Sequence, residues 1–199
     1  MPQFDLRGIK CAKYVNTAGT ITYTDIQDVG DAMTANLELR FAEGRLYAES
    51  TLAEYIRKAT GGTISLGVKY IKDNAQKLMF GKRAKSKSVS YKNSSGTTVT
   101  ATVNSLAIGG KDEGVYVGIG FYAPDMVDGV KKYTAVMIYK CLFGPPSMSL
   151  QTAGEGIVFN TPTTSGDCMA SDATTKDIFE SAVCDSEAEA VAWIAAMLA

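Results

Sequence analysis

The stretch GVYVGIGFYAPDMVDGVKKYTAVMIYKCLFGPP, residues 114–146, decides the fold class. It opens as a strand over 115–122, with Val115, Val117, Ile119 and Phe121 on one face and Tyr116, Gly118, Gly120 and Tyr122 on the other. Two glycines on one strand face let another backbone or a large side chain come close. Asp128-Gly129 marks a turn, and a longer strand follows over 133–143. That strand is apolar on both faces: Tyr133, Ala135, Met137, Tyr139, Cys141 and Phe143 against Val136, Ile138 and Leu142. A strand of this kind must be covered on both sides, by its own domain or by a neighbouring subunit. Pro145-Pro146 then breaks it.

Beyond the break the expectation is a short apolar segment at 156–159, a Thr/Pro/Gly connector and a closing helix. Ser186-Glu187-Ala188-Glu189 has the capping-box pattern, in which the serine oxygen and the glutamate satisfy backbone N–H groups of the first turn. Val191, Ile194, Ala195 and Leu198 keep helical spacing and are expected to dock on a sheet, with Trp193 as a packing anchor at the edge.

Upstream, 9–15 and 20–26 read as two strands around a four-residue turn at 16–19. Residues 35–41 form another strand, with Leu37, Leu39 and Phe41 opposed to Asn36, Glu38 and Arg40. The charged stretch 45–59 has poor periodicity and reads as an extended loop between two strand halves or a short helix, with the extended form favoured by the Gly61-Gly62 that follows. Gly61-Gly62 follows and leads into a strand over 63–70, where Ile64, Leu66, Val68 and Tyr70 alternate with polar neighbours. A two-turn helix is expected over 73–80, capped by Asp73 or Asn74 and stopped by Gly81. Residues 82–96 carry Lys82, Arg83, Lys85, Lys87 and Lys92 among serines, with Tyr91 beside them; a solvated, mobile hairpin tip explains the composition better than a nucleic-acid patch. Strand character resumes over 97–103.

These elements predict a mainly-β α+β sandwich or barrel in a single domain of 199 residues. Lys and Arg number 20 against 21 Asp and Glu, so no global bias favours nucleic acid or anionic membrane. No histidine is present, which removes the commonest general base and metal ligand. The cysteines, Cys11, Cys141, Cys168 and Cys184, contain no CxxC pair and read as isolated buried thiols. Neither a Gly-x-Ser-x-Gly elbow nor a phosphate-binding glycine loop occurs, and Asp125 with Asp128 reads as an acidic pair in a loop rather than a calcium site. MPQFDLRGIK lacks the pattern of a signal peptide, and no apolar run reaches spanning length. A cytoplasmically made, non-enzymatic protein without cofactor or metal is the expectation.

The order and texture of these segments resemble the major tail protein of long-tailed, non-contractile bacteriophages. The resemblance rests on GIKCAKYV, on GTISLGVKYI followed by DNAQKLMFG, and on VYVGIGFYAPDMVDGVKKYTAVMIYKCLFGPPSMSLQT, IVFNTPTTSGDCMA and SEAEAVAWIAAML. It implies a tail-tube-type β-sandwich flanked by a helix. Its inner sheet would join those of five neighbours, and the six-subunit rings would stack into a tube that lets DNA pass. It also implies a tape measure protein inside the tube, a tail terminator and distal tail or baseplate proteins as partners, DNA only in transit, and location in the virion tail. Residues 44–60 would be the stacking loop. A lumen that passes DNA should repel phosphate, which places Glu38, Glu43, Glu49 and Glu54 at the lumen or ring interface. Lys82, Arg83, Lys85, Lys87 and Lys92 would then sit on the exterior or at a ring-to-ring contact.

Two rivals remain at this level. One is a single-ring tail connector or terminator; the other is a carbohydrate-binding β-sandwich using Tyr116, Tyr122 and Tyr133 as surface aromatics.

Overall fold

The computed structural model describes residues 5–147 and 161–199. The apolar segment expected at 156–159 lies outside them. The chain is mainly β; the described residues hold two short helices and strands that pair antiparallel. Its elements are β1 (Arg7–Thr17), β2 (Thr20–Asp28), β3 (Ala32–Ala48), β4 (Thr51–Val68), α1 (Asp73–Phe80), β5 (Arg83–Lys92), β6 (Thr98–Ala107), β7 (Val117–Val127), β8 (Val130–Phe143), β9 (Thr163–Met169), β10 (Phe179–Cys184) and α2 (Glu187–Met197).

One sheet runs in the order β2-β1-β7-β8-β9-β4-β3, with β10 also pairing to β8; β5 and β6 form a separate two-stranded sheet. Residues of β1 (Ile9, Cys11) and of β4 (Ile64, Leu66, Val68) share one buried cluster although three strands separate them in the sheet. The sheet therefore curls around that core, and α1 fills it with Ala75, Leu78, Met79 and Phe80. A second cluster, with Tyr14, Tyr23, Tyr122, Met137, Ile194 and Leu198, occupies the opposite face of β7 and β8 beneath α2.

β8 is covered on both faces within the subunit, so its apolarity needs no neighbour. Its face assignment differs from simple alternation. Val117 pairs with Cys141 while Ile119 pairs with Ile138, which places a bulge at Tyr139-Lys140. The extra residue reverses parity, so Cys141 and Phe143 join Ile138 in the first core rather than Met137 in the second. The same bulge divides the far edge of β8: β10 pairs along 133–138 and β9 along 140–143. The expected Thr/Pro/Gly connector is in part the strand β9, whose small residues Thr164, Gly166 and Cys168 are the buried ones.

The glycines of β7 behave as their alternation suggests. A Cβ on Gly120 would lie 2.5 Å from the Ile194 methyl, and one on Gly118 would run into the Tyr23 ring. Both helices differ in detail from expectation. Lys72, not Asp73 or Asn74, is the residue before α1, and no side chain caps it; Gly81 does close it in the left-handed region at φ 66°. At α2 the Ser186 side chain accepts from the Glu189 N–H at 3.2 Å, and Glu189 Oε2 accepts from the Asp185 N–H at 2.9 Å. The buried stripe of α2 is Ala190, Ile194 and Leu198, while Val191 and Ala195 face outward. Spacing alone does not distinguish two stripes one position apart on an alanine-rich helix.

Candidate functional site

Three hairpins turn in two residues, each with both central residues at positive φ: Ala18-Gly19, Glu49-Ser50 and Asp128-Gly129. This is the turn whose twist matches that of the flanking strands. The second turn closes the feature that most separates this structure from its expectation. Residues 44–60 are not an irregular loop. They belong to a continuous hairpin in which β3 and β4 stay paired from Ala32↔Val68 to Ala48↔Thr51, with irregularities near Met33, Arg40 and Leu46. Charged and apolar residues are mixed on each face there, so neither face looks like a core face in sequence, and the periodicity fails as a signal.

Only the proximal part of this hairpin belongs to the sheet body. β9 pairs with β4 over Gly62–Gly67, and Ala35 and Leu37 pack on the core. From Phe41 to Ala59 the two strands pair only with each other, in an arm about 25 Å long at 3.3 Å per residue. All its side chains are exposed, including Phe41, Leu46, Tyr47, Leu52, Tyr55 and Ile56. An isolated two-stranded hairpin is marginal in water, and one carrying six large apolar side chains is a surface that lacks its second layer.

The arm has two different faces. Directly opposed residues share a side, so Phe41, Glu43, Arg45, Tyr55 and Arg57 lie together. This face satisfies itself: Glu43 meets Arg45 and Arg57, both at 3.4 Å, Arg57 stacks 3.9 Å over the Phe41 ring, and Arg45 lies 5.5 Å over Tyr55. On the other face are Gly44, Leu46, Glu54, Ile56 and Lys58. The four expected carboxylates thus share one hairpin but not one face. Glu38 continues the side of Glu54, Glu43 is on the opposite side, and Glu49 occupies the turn. Glu38 accepts from the Asn36 amide at 3.2 Å.

The basic segment 82–96 is the first strand and turn of a hairpin, as expected, and its pairing is regular. β5 and β6 pair over ten successive positions from Arg83↔Ala107 to Lys92↔Thr98, and the turn is held by the Asn93 side chain, which accepts from the Ser95 and Thr97 N–H groups. One face carries Arg83, Lys85, Lys87, Val89 and Tyr91 with Val99, Ala101 and Val103; the other carries Ser86, Ser88, Ser90, Thr100, Thr102 and Asn104. Lys92 lies on this second face, and Lys82 lies before the strand, bound to Gln76 Oε1 at 2.7 Å. Arg83 is anchored to Asp112 at 2.9 Å.

Inside the body the ionisable groups are held in place rather than presented. Burial raises the Cys11 thiol to about 12. Burial, then a hydrogen bond to Glu187, raises the Tyr122 hydroxyl to about 12; that bond, and after it Arg7, hold Glu187 low. Tyr122 is therefore buried and not a surface aromatic, while Tyr116 is 40% exposed with Lys140 at 4.8 Å from its ring. Asp125 is not in a loop. It lies on β7, 2% exposed; its Oδ2 accepts from the Thr134 hydroxyl at 3.4 Å and its Oδ1 has no partner. Cys141 and Cys168 are not isolated: they oppose one another across β8 and β9 with sulfurs 2.9 Å apart. Among the described residues no helix is long and apolar enough to cross a membrane.

No protein-family model matches the chain, and no curated protein sequence matches it.

Proposed function

We propose that this chain is a structural subunit that assembles with copies of itself into stacked six-fold rings, forming the tail tube of a long-tailed, non-contractile bacteriophage. The observation that carries the reading is the distal β3–β4 arm, which places six exposed large apolar residues on a two-stranded ribbon that, among the described residues, pairs only with itself. A neighbouring copy supplies the missing layer. The curled sheet supports the same reading, because β2 and β3 end it as open edges, and joining sheets between subunits removes such edges.

In this reading the tube is the conduit for DNA ejection, built in the bacterial host cytoplasm and resident in the virion tail. A tape measure protein lies inside it, and terminator and baseplate proteins lie at its ends. Glu38, Glu43, Glu49 and Glu54 belong to the lumen or ring interface, and a tube structure placing all four on the outer wall contradicts this. Negative-stain microscopy of the purified chain tests the reading. Long tubes of constant diameter are expected; single rings that never stack indicate a connector, and isolated particles of one subunit contradict assembly.

A further inference from the structure

Two ribbons leave the body of this chain, and their faces are complementary. On the β5–β6 ribbon, Tyr91 is 54% and Val103 49% exposed, and Lys85 and Lys87 share their face. On the distal β3–β4 ribbon, Leu46 is 57% and Ile56 67% exposed, Glu54 and, nearer the body, Lys58 share their face, and Glu49 sits at its end. Among the described residues, neither ribbon buries its outward face: the main partner of β5 is β6, and that of distal β3 is distal β4.

We propose that the β5–β6 ribbon of one copy packs across the distal β3–β4 ribbon of the next. Tyr91 and Val103 cover Leu46 and Ile56, and Lys85 and Lys87 lie beside Glu49 and Glu54. The proposal rests on the self-assembly reading and names the contact that propagates it.

Charge favours the pairing at the tip of the arm. Residues 82–107 hold five cations and no carboxylate, and although the arm over 41–59 balances Glu43, Glu49 and Glu54 against Arg45, Arg57 and Lys58, Glu49 and Glu54 lie toward its tip, away from Arg57 and Lys58. Among the described residues, Lys85, Lys87, Glu49 and Glu54 lie in no ion pair of their own subunit, unlike Arg83, which holds Asp112. On the far side of the β3–β4 arm Glu43 is held by two arginines, and the base of the β5–β6 ribbon, with Ala84, Lys85, Ser86, Asn104, Ser105 and Leu106, borders a cleft shared with Asp73 and Lys77 of α1. Size fits as well. The ribbons have ten and eight paired positions, so stacking face to face gives each the second layer of a small sandwich, about 10 Å away. Because the two surfaces differ, the contact is heterologous and repeats from copy to copy instead of stopping at a dimer.

A charge exchange tests this on the full-length chain. Two variants are made, K85E/K87E and E49K/E54K, all at exposed positions, and assembled mass is followed by light scattering. Each variant alone is expected to lose at least tenfold in assembled mass, since every junction then opposes like charges. A one-to-one mixture is expected to recover it, because an alternating chain pairs opposite charges at every junction; recovery also shows that both variants are folded. If the wild type assembles and either variant assembles equally well, or the mixture fails to recover, this contact is wrong while the assembly reading stands. A wild type that remains a single copy overturns both. Duplex DNA bound by the wild type and released by K85E/K87E, with assembly unchanged, makes the ribbon a nucleic-acid surface and overturns the contact.

Discussion

The body of this protein and its two ribbons use the same residue types to opposite ends. In the body, Phe80, Ile64, Leu66, Ile119 and Ile138 are at most 1% exposed, packed from two sides of a curled sheet. On the ribbons, Leu46, Ile56, Tyr91 and Val103 are about half exposed or more, although they sit in strands just as regular. Regular pairing therefore does not mark the core here. What differs is the second layer, which the body provides for itself and the ribbons do not. An apolar side chain in the body contributes to folding, and in the proposed assembly one on a ribbon contributes to association.

The largest effect that tests this difference comes from deleting matched side chains. Phe80→Ala empties a fully buried site and is expected to cost about 3–5 kcal/mol in denaturant unfolding. Ile56→Ser is expected to change the unfolding free energy of the dilute protein by less than about 0.5 kcal/mol while sharply reducing assembled mass. Comparable losses of folding stability at the two positions would show that the arm belongs to the core.

A smaller cost is expected where α2 meets the sheet. Gly120→Ala puts a methyl 2.5 Å from Ile194 and should destabilise by about 1–3 kcal/mol through overpacking, read as a lower thermal midpoint. The same change at Gly44 on the arm, with nothing within 4 Å, should leave the midpoint nearly unchanged.

Alkaline pH should loosen the body before it touches the ribbons. Folding raises the Cys11 thiol from 9.0 to about 12 and the Tyr122 hydroxyl from 10.0 to about 12, both mainly by burial. A raised value means that the folded state holds the proton more tightly, so this stability is complete below pH 9.0 and is lost as pH climbs toward about 12. Circular-dichroism melts between pH 8 and 12 should show a flat region and then a decline; Tyr122→Phe should shallow that decline. A midpoint that does not fall contradicts the packing described for these groups.

The smallest effect lies at the arm's tip. Glu49 and Ser50 adopt φ of 50° and 65°, a region that asparagine and glycine occupy with less strain. The double change to Asn-Gly is expected to slow amide exchange in the arm and raise stability by about 0.5–1 kcal/mol. Faster exchange would show that the turn is held by something other than local geometry.

Much of the body was legible in the chain. The β7–β8 unit shows itself through Gly118 and Gly120, the Asp128-Gly129 turn and the apolar run of β8, and α2 through its capping box. The bulge at Tyr139-Lys140 was not legible, because one inserted residue leaves the composition of both faces plausible. β9 escaped because its buried residues are Thr164, Gly166 and Cys168, too small to announce a core face. The ribbons were misread for a physical reason as well. Alternation identifies a strand by the contrast between a wet face and a dry one, and these exposed ribbons carry charged and apolar residues on the same face. In the candidate site the residue types were visible, but Glu43 stands apart from Glu54 only once the pairing Glu43↔Arg57 is known.

The most direct measurement is the mass of the wild-type chain in solution as a function of its concentration. Growth from the 21.2 kDa subunit to large particles as concentration rises, reversed on dilution or by the charge-exchanged variants, is the result expected for a subunit completed by its neighbours. A mass that stays at one subunit across the whole range would contradict the account.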